Sequence, residues 1–299
     1  MTLTLILKRT TTMFHPQDIV LITGCGAGIG KALAMEFHRR GVQVCATARR
    51  QASIDDLRAM GMLTLPLDVC DPSQVDAVLA TLRTQQRRVR MLINNAGYGA
   101  MGPLVDVPLQ AWREQFEVNL FALVALTRAV APEMIARRQG TIVNISSISG
   151  VAPTPFAAPY CASKAAVNAL SDALRMELRP FGVNVVTVQP GGIQSAFGDA
   201  AGARVSLAPD SPYLPVKAGI MTRAQEGQRQ AMPAAEFARR AVDALLSPAC
   251  PSVLRIGEKS RLLPWLKRSL PDRLLDGLLS RRFGLDQLSS APTQGARGR

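Results

Sequence analysis

Short apolar runs and stretches of helical periodicity alternate over the first 190 residues of the chain. "DIVLITG" (18–24), "VQVCATA" (42–48), "LTLPLDV" (63–69), "VRMLINNAG" (89–97), "GTIVNISS" (140–147) and "GVNVVTVQPGG" (182–192) are β-branched or aliphatic runs of strand length. Between them, "KALAMEFHRRG", residues 73–87, "WREQFEVNLFALVALTRAVAPEMI" (112–135) and "YCASKAAVNALSDALRMEL" (160–178) carry apolar residues at helical spacing. Strand, helix, strand in this rhythm predicts βαβ units and a parallel sheet covered on both faces, with right-handed crossovers. The predicted class is α/β, a doubly wound parallel sheet, in one domain over 18–257. A further helix at 234–247 and a last strand at 252–257 complete it. Residues 195–225, rich in Gly, Pro and Ala and weakly patterned, read as a mobile substrate loop or lid near the strand ends. No internal repeat or second-domain linker is visible.

The two ends differ from this body. Residues 1–17 read as an N-terminal extension, with Met13 as an alternative start. The opening "MTLTLILKRTTTMF" has a short apolar stretch without a small-residue cleavage pattern, which argues against a signal peptide. Residues 258–299 read as a basic amphipathic extension. In "RLLPWLKRSLPDRLLDGLLSRRFG" (261–284), Leu270, Leu274 and Leu278 fall on one face, with Leu275 and Leu279 beside them. Pro271 suits a first-turn position. Three uses of that helix stay open: packing on the domain or a partner subunit, capping the substrate cleft, and lying on a membrane interface.

Composition narrows the picture only a little. The 299 residues are 47% apolar and 19% charged, a globular composition rather than a disordered one. No apolar run reaches the roughly 18–20 residues that span a bilayer. Five scattered cysteines (Cys25, Cys45, Cys70, Cys161, Cys250), with only His15 and His38 available, predict inert thiols in a reducing, cytoplasmic compartment and no metal site. The net charge is +13, and residues 251–299 hold ten Lys/Arg against four Asp/Glu. That excess reads either as a solvated face or as an attraction to anionic lipid or phosphate-bearing ligands. Nucleic acid is not expected as a partner, because the basic residues lack interleaved aromatics.

The candidate chemistry sits at strand ends. "TGCGAGIG" (23–30) closes the first strand and opens the first helix, where glycines permit a tight turn and a close approach to a pyrophosphate. Its spacing is not the G-x-G-x-x-G fingerprint, so position in the βαβ unit carries the reading. At the end of the second strand, Ala48 stands where an acid would bind an adenine ribose, and Arg49 and Arg50 follow. The arginine donor fork suits a phosphate, so NADP(H) is favoured over NAD(H); two surface arginines after a strand are the alternative. Tyr160 and Lys164 share a helix face, and a nearby ammonium would lower the phenol pKa toward the working range. Ser147 closes the strand before them. "NNAG" (94–97) closes another, and Asn119 lies inside the apolar helix at 112–135, either as a satisfied structural amide or as a catalytic one.

Taken in order and spacing, "TGCGAGIG", "NNAG", Asn119, "NISS", "YCASK" and "QPGG" resemble the classical short-chain dehydrogenase/reductase family over about residues 18–195. The resemblance implies a Rossmann-type domain with a seven-stranded parallel sheet, in a homodimer or homotetramer. It implies Tyr160 as acid–base and Lys164 as the residue that holds the nicotinamide ribose and tunes Tyr160. Ser147 would bind the substrate oxygen, with Ser146 as the less favoured alternative, and Asn119 would support a water-linked proton relay. Cofactor contacts carry over to Thr23, Gly24, Gly28, Ile29, Gly30, Asp68, Val69, Asn95, Ala96, Gly97, Pro190, Gly191, Ile193 and Ser195, beside Arg49 and Arg50. Two departures are visible: Ser195 stands where Thr is frequent, and Ala27 where NADP-preferring members often carry a basic residue.

The implied reaction is hydride transfer between a nicotinamide cofactor and a carbonyl or secondary alcohol. The expected cleft walls, Tyr98, Met101, Val151, Phe156, Phe197, Tyr213 and Leu214, are largely apolar and suggest a lipophilic small-molecule substrate. Similarity to bacterial relatives of steroid, retinol and acyl-dihydroxyacetone-phosphate reductases points the same way. The last of these would explain a basic tail that makes peripheral contact with a membrane. The rival reading is a non-catalytic NADP-binding sensor or scaffold.

Overall fold

The computed structural model describes residues 14–288. The start at Met13 and the last residues of the basic tail, 289–299, lie outside the described residues. Seven strands form one parallel sheet: β1 (Asp18–Ile22), β2 (Val44–Ala48), β3 (Leu63–Pro66), β4 (Arg88–Asn94), β5 (Gly140–Ile145), β6 (Val183–Pro190) and β7 (Val253–Ile256), in the order β3-β2-β1-β4-β5-β6-β7. β1 pairs with β2 on one side and β4 on the other. The strand order reverses there, which opens a crevice at the carboxyl ends of the strands.

Alternation along the strands builds two cores. Val20 and Ile22 of β1 face one side, with Leu33 and Phe37 of α1 (Gly28–Arg39) and Phe237 and Val242 of a later helix, Ala234–Leu245. Ile19 and Leu21 face the other side. They meet Val75, Val78 and Leu82 from Pro72–Thr84, and Leu126, Val130 and Met134 from Ala122–Arg137. Helical structure runs unbroken over Leu109–Arg137, long and apolar enough by composition to cross a bilayer. Here its apolar stripe is spent on the sheet. The stretch consists of α2 (Leu109–Phe116), a π-helical turn (Glu117–Phe121) and α3 (Ala122–Arg137).

The predicted strands and long helices coincide with observed elements to within a few residues; the catalytic-helix segment forms α4 (Ala158–Leu178). One expectation is corrected. The segment 195–225, read as a weakly patterned loop or lid, folds into α5 (Phe197–Gly202) and α6 (Lys217–Gln225). The tail at 261–284 forms two helices, α7 (Leu262–Ser269) and α8 (Asp272–Phe283), and Pro271 stands at the start of the second, as its first-turn reading expects. Leu275 and Phe283 are buried, while Leu274 and Leu278 remain 58% and 55% exposed. The buried face packs on the domain: Phe283 joins Phe156, Val216 and Ile220 in a small core. A Cβ at Gly219 would lie 1.9 Å from the Phe283 carbonyl oxygen, so the end of α8 rests directly on α6.

Candidate active site

A cleft of about 1150 Å³ runs along the carboxyl ends of β1, β2, β4, β5 and β6. The glycine turn forms one wall. Gly24 and Gly28 hold φ of +73° and +59°, in the left-handed region. α1 begins without a side-chain cap or an acidic residue in its first turn. Its leading backbone amides therefore face the cleft with a favourable dipole for an anion. A Cβ at Gly28 would approach Ser195 to 3.1 Å across the groove, and one at Gly97 would come 2.9 Å from Asn119 Oδ1. These close approaches leave a narrow, backbone-lined cradle that suits a dinucleotide.

Most of the residues anticipated for the cofactor line this cleft: Gly24, Gly28, Ile29, Arg49, Arg50, Asp68, Val69, Asn95, Ala96, Gly97, Pro190, Gly191, Ile193 and Ser195. Thr23 and Gly30 lie just behind the lining. Thr23 Oγ1 accepts from the Asn95 and Ala96 amides at 3.0 and 2.9 Å, tying β1 to the "NNAG" turn. A Cβ at Gly30 would strike Asn95 Nδ2 at 2.4 Å and the Gly24 carbonyl oxygen at 2.5 Å, so Gly30 permits the helix to close on the strand end. Arg49 and Arg50 are exposed at the end of β2. Ser53, unanticipated, lines the cleft beside them and donates to the Arg50 carbonyl at 2.6 Å.

The proton-handling groups meet further along. The Tyr160 phenol and the Ser147 side chain face each other at the same end of the cleft. Burial pushes its pKa above the usual phenol value, against smaller downward pulls from Ser147 and from the Arg223 charge. Ser146, by contrast, donates its hydroxyl to the Lys164 carbonyl at 3.0 Å and serves the frame. Lys164 is buried, and that burial lowers its pKa to about 8. Nζ donates to the Ile145 carbonyl at 2.7 Å. In the chain alone the Tyr160 phenol is shifted by burial, by Ser147 and by the Arg223 and Cys161 charges, while burial shifts Lys164.

Asn119 lies in the π-helical turn, a geometry common at functional positions. It does not line the cleft. Oδ1 accepts from the Tyr98 amide at 3.1 Å, and Nδ2 donates to the Tyr98 carbonyl and to Ser163 Oγ, each at 3.1 Å. Both amide protons are spent on bracing the turn after β4, which leaves a proton relay only the second lone pair of Oδ1. Gln115, one turn earlier and not anticipated, clamps the same segment: it accepts from the Ala100 amide and donates to the Tyr98 carbonyl, both at 2.6 Å. Asn94, Asn144 and Ser171 form a buried polar chain behind the site, linked at 2.9 Å for each amide donation. For Asn94 and Asn144, polar residues inside otherwise aliphatic strands, the sequence carries a signal; for Ser171, on α4, it carries none.

Of the anticipated substrate walls, Tyr98, Met101 and Phe197 line the cleft, while Val151, Phe156, Tyr213 and Leu214 do not. Phe156 instead meets Tyr213 edge-on, ring centroids 5.8 Å apart, beneath α6. Phe197 lies 5.3 Å from the Tyr160 ring. Arg223 and Leu263, not singled out in the sequence, enter the lining from the 195–225 segment and from the tail.

This geometry agrees with what comparison shows. The short chain dehydrogenase family model matches residues 18–205. A short-chain dehydrogenase from Penicillium ochrochloron is 37% identical over 271 residues, covering 89% of this chain and 98% of its own. An NADPH-dependent 1-acyldihydroxyacetone phosphate reductase from Schizosaccharomyces pombe is 41% identical over 181 residues, 60% of this chain and 61% of the relative. The crystal structure of a short-chain dehydrogenase from Streptomyces avermitilis superposes with a TM-score of 0.76 at 30% identity, covering 93% of this chain and 98% of that one. The chain belongs to the short-chain dehydrogenase family. It is a nicotinamide-dependent oxidoreductase acting on alcohol or carbonyl groups.

Proposed function

We propose that the protein is an NADPH-dependent reductase of lipophilic carbonyl compounds. The carrying observation is the buried Tyr160–Ser147 pair in a cleft that is basic at the far end, around Arg49, Arg50 and Ser53, and apolar near the phenol, around Met101, Ala157, Ala201 and Phe197. The glycine turn and the α1 amides would hold the pyrophosphate, and Arg49 with Ser53 would take a ribose phosphate. A nicotinamide cofactor bound there would supply the hydride for carbonyl reduction.

The residues of the chain handle the oxygen and its proton. A phenol whose pKa is raised keeps its proton at neutral pH, so Tyr160 is poised to donate to the forming alkoxide. Ser147 donates to the same oxygen and steadies its developing charge. Lys164 keeps a positive charge near the site below about pH 8. Asn119 and Gln115 fix the Tyr98 segment against which the substrate lies. The similarity to a 1-acyldihydroxyacetone phosphate reductase supports both NADPH and a lipid-like ketone.

The test is NADPH oxidation by the purified protein against a carbonyl panel, with Tyr160→Phe beside it. Turnover on acylated or polycyclic ketones that disappears in Tyr160→Phe, with NADPH binding retained, is the expected result. Undiminished turnover in that variant overturns the assignment, and NADPH binding without any turnover would instead favour the sensor reading. Exposed Leu109, Phe121 and Met176 on the two long helices support a homo-oligomer, checked by light scattering.

A further inference from the structure

Arg223 is 6% exposed, yet no ion pair among the described residues includes it. It lies on α6 and lines the cleft on the substrate side of Tyr160. Nε donates to the Thr154 hydroxyl, and Nη2 reaches Ser149 Oγ at 3.4 Å. Nη1 takes no hydrogen-bond partner among the described residues. The acid nearest in sequence, Glu226, is committed elsewhere: it pairs with Lys259 at 2.9 Å and with Arg282 at 2.6 Å. Two neutral hydroxyls only partly offset the desolvation of a guanidinium, and a helix could be pinned to Thr154 by a neutral side chain at lower cost. A buried, uncompensated cation at the wall of a binding cleft is explained if its counter-ion arrives with the ligand.

The position of Arg223 specifies where that anion sits. Ser149 is two residues from Ser147, and its amide donates to Ser147 Oγ at 3.1 Å. The Arg223 charge is felt at the Tyr160 phenol. Through Ser149 and Thr154 the guanidinium is therefore held at the Ser147 end of the cleft, not at the Arg49 end. Arg204 adds a second cation on the same wall, stacked 4.3 Å above the Tyr98 ring.

Resting on the reductase reading above, we propose that Arg223 binds an oxyanion of the substrate, and that the substrate is a lipophilic ketone carrying a phosphate or carboxylate within a few bonds of its carbonyl. Arginine suits such a group through paired N–H donors, and truncating one partner of a buried charge pair typically costs ~2–5 kcal/mol, or about 30-fold and upward in affinity.

Two matched pairs of ketones test this, with NADPH oxidation as the readout: hexadecanoyl-dihydroxyacetone phosphate against its dephosphorylated form, and 3-oxohexadecanoate against its methyl ester. Wild-type protein is expected to favour an anionic member by at least about 10-fold in kcat/KM. Arg223→Met is expected to lose about 30- to 100-fold on that anionic ketone, chiefly in KM, and to stay within about 3-fold on its uncharged partner. Preference in the first pair alone assigns phosphate, in the second alone carboxylate, and in both an oxyanion of either kind. Equal losses on charged and uncharged ketones make Arg223 a pin for α6 and overturn the inference while the reductase reading stands. No turnover of any ketone by wild-type protein overturns both. Should Arg223→Met fail to fold, competitive inhibition of the wild type decides: octyl phosphate or octanoate is expected to bind at least about 10-fold more tightly than octanol, and equal inhibition overturns the inference.

Discussion

Lys164 reaches back from α4 to the last residue of β5, its ammonium 2.7 Å from the Ile145 carbonyl oxygen. The charge is held by one carbonyl in a buried setting, and its pKa falls to about 8 from an ordinary 10.5. Between these values the unfolded chain binds more protons at this position than the folded one, so folding stability rises with pH across that window. Below about 8 the burden is full, on the order of 3 kcal/mol; above 10.5 it is gone. Lys164→Met is therefore expected to show its largest gain in Tm over wild type, or its smallest loss, near pH 7. The difference should shift toward wild type as pH rises from 8 to 10.5, as differential scanning calorimetry would show. A pH-independent difference would refute it.

The same titration sets an alkaline limit on catalysis. With Tyr160 protonated throughout, kcat/KM for carbonyl reduction is expected to fall as pH rises through about 8, where Lys164 loses its charge. A flat profile to pH 10 would detach Lys164 from the chemistry.

Among the described residues Asn119 supplies the only hydrogen bond to the Tyr98 amide, whereas the Tyr98 carbonyl is also served by Gln115. Asn119→Ala is expected to destabilise the fold by ~1–3 kcal/mol, because it strands the part-buried Tyr98 amide. Chemical denaturation without cofactor or substrate measures this apart from any effect on turnover. A change below about 0.5 kcal/mol would show that the π-helical turn does not depend on the amide.

Arg49 ends β2 beside Ser53, exposed and without an acidic partner at hydrogen-bond distance among the described residues. Arg49→Ala is expected to weaken NADPH binding by about 10- to 100-fold and NADH binding by less than about 3-fold. Fluorescence titration with both nucleotides checks it. Equal losses would move the discrimination to Arg50.

Gly219 is pressed against the end of α8, with no room for a side chain beside the Phe283 carbonyl. Gly219→Val is expected to lift α8 from α6, lower Tm by several degrees and raise KM for the ketone more than it changes kcat. An unaltered KM with a lowered Tm would confine α8 to stability.

Much of the sheet is legible in the sequence, because a parallel strand buried on both faces must be a continuous apolar run, and "DIVLI" or "GTIVNI" can be little else. The glycine turn, Ser147, Tyr160 and Lys164 are legible for a related reason: each closes a strand or follows one, and the sheet brings strand ends together. The π-helical turn escapes notice because one extra residue in a long helix barely disturbs an apolar stripe. Arg223 escapes because its burial is produced by distant residues, among them Thr154 and Ser149, which no local pattern reveals. The lysine's isolation is likewise a property of depth, which i, i+4 spacing does not encode.

Glycine turn, serine, tyrosine and lysine all come from the stretch that the family shares, residues 18–205, whereas Arg223, Leu263 and the Phe283 buttress come after it. Part of the cleft wall is thus written in a different length of chain from the proton-handling groups, beside Tyr98, Met101 and Phe197 from the shared stretch. A lineage could retool what it reduces by redrafting its last hundred residues, leaving the proton-donating machinery untouched.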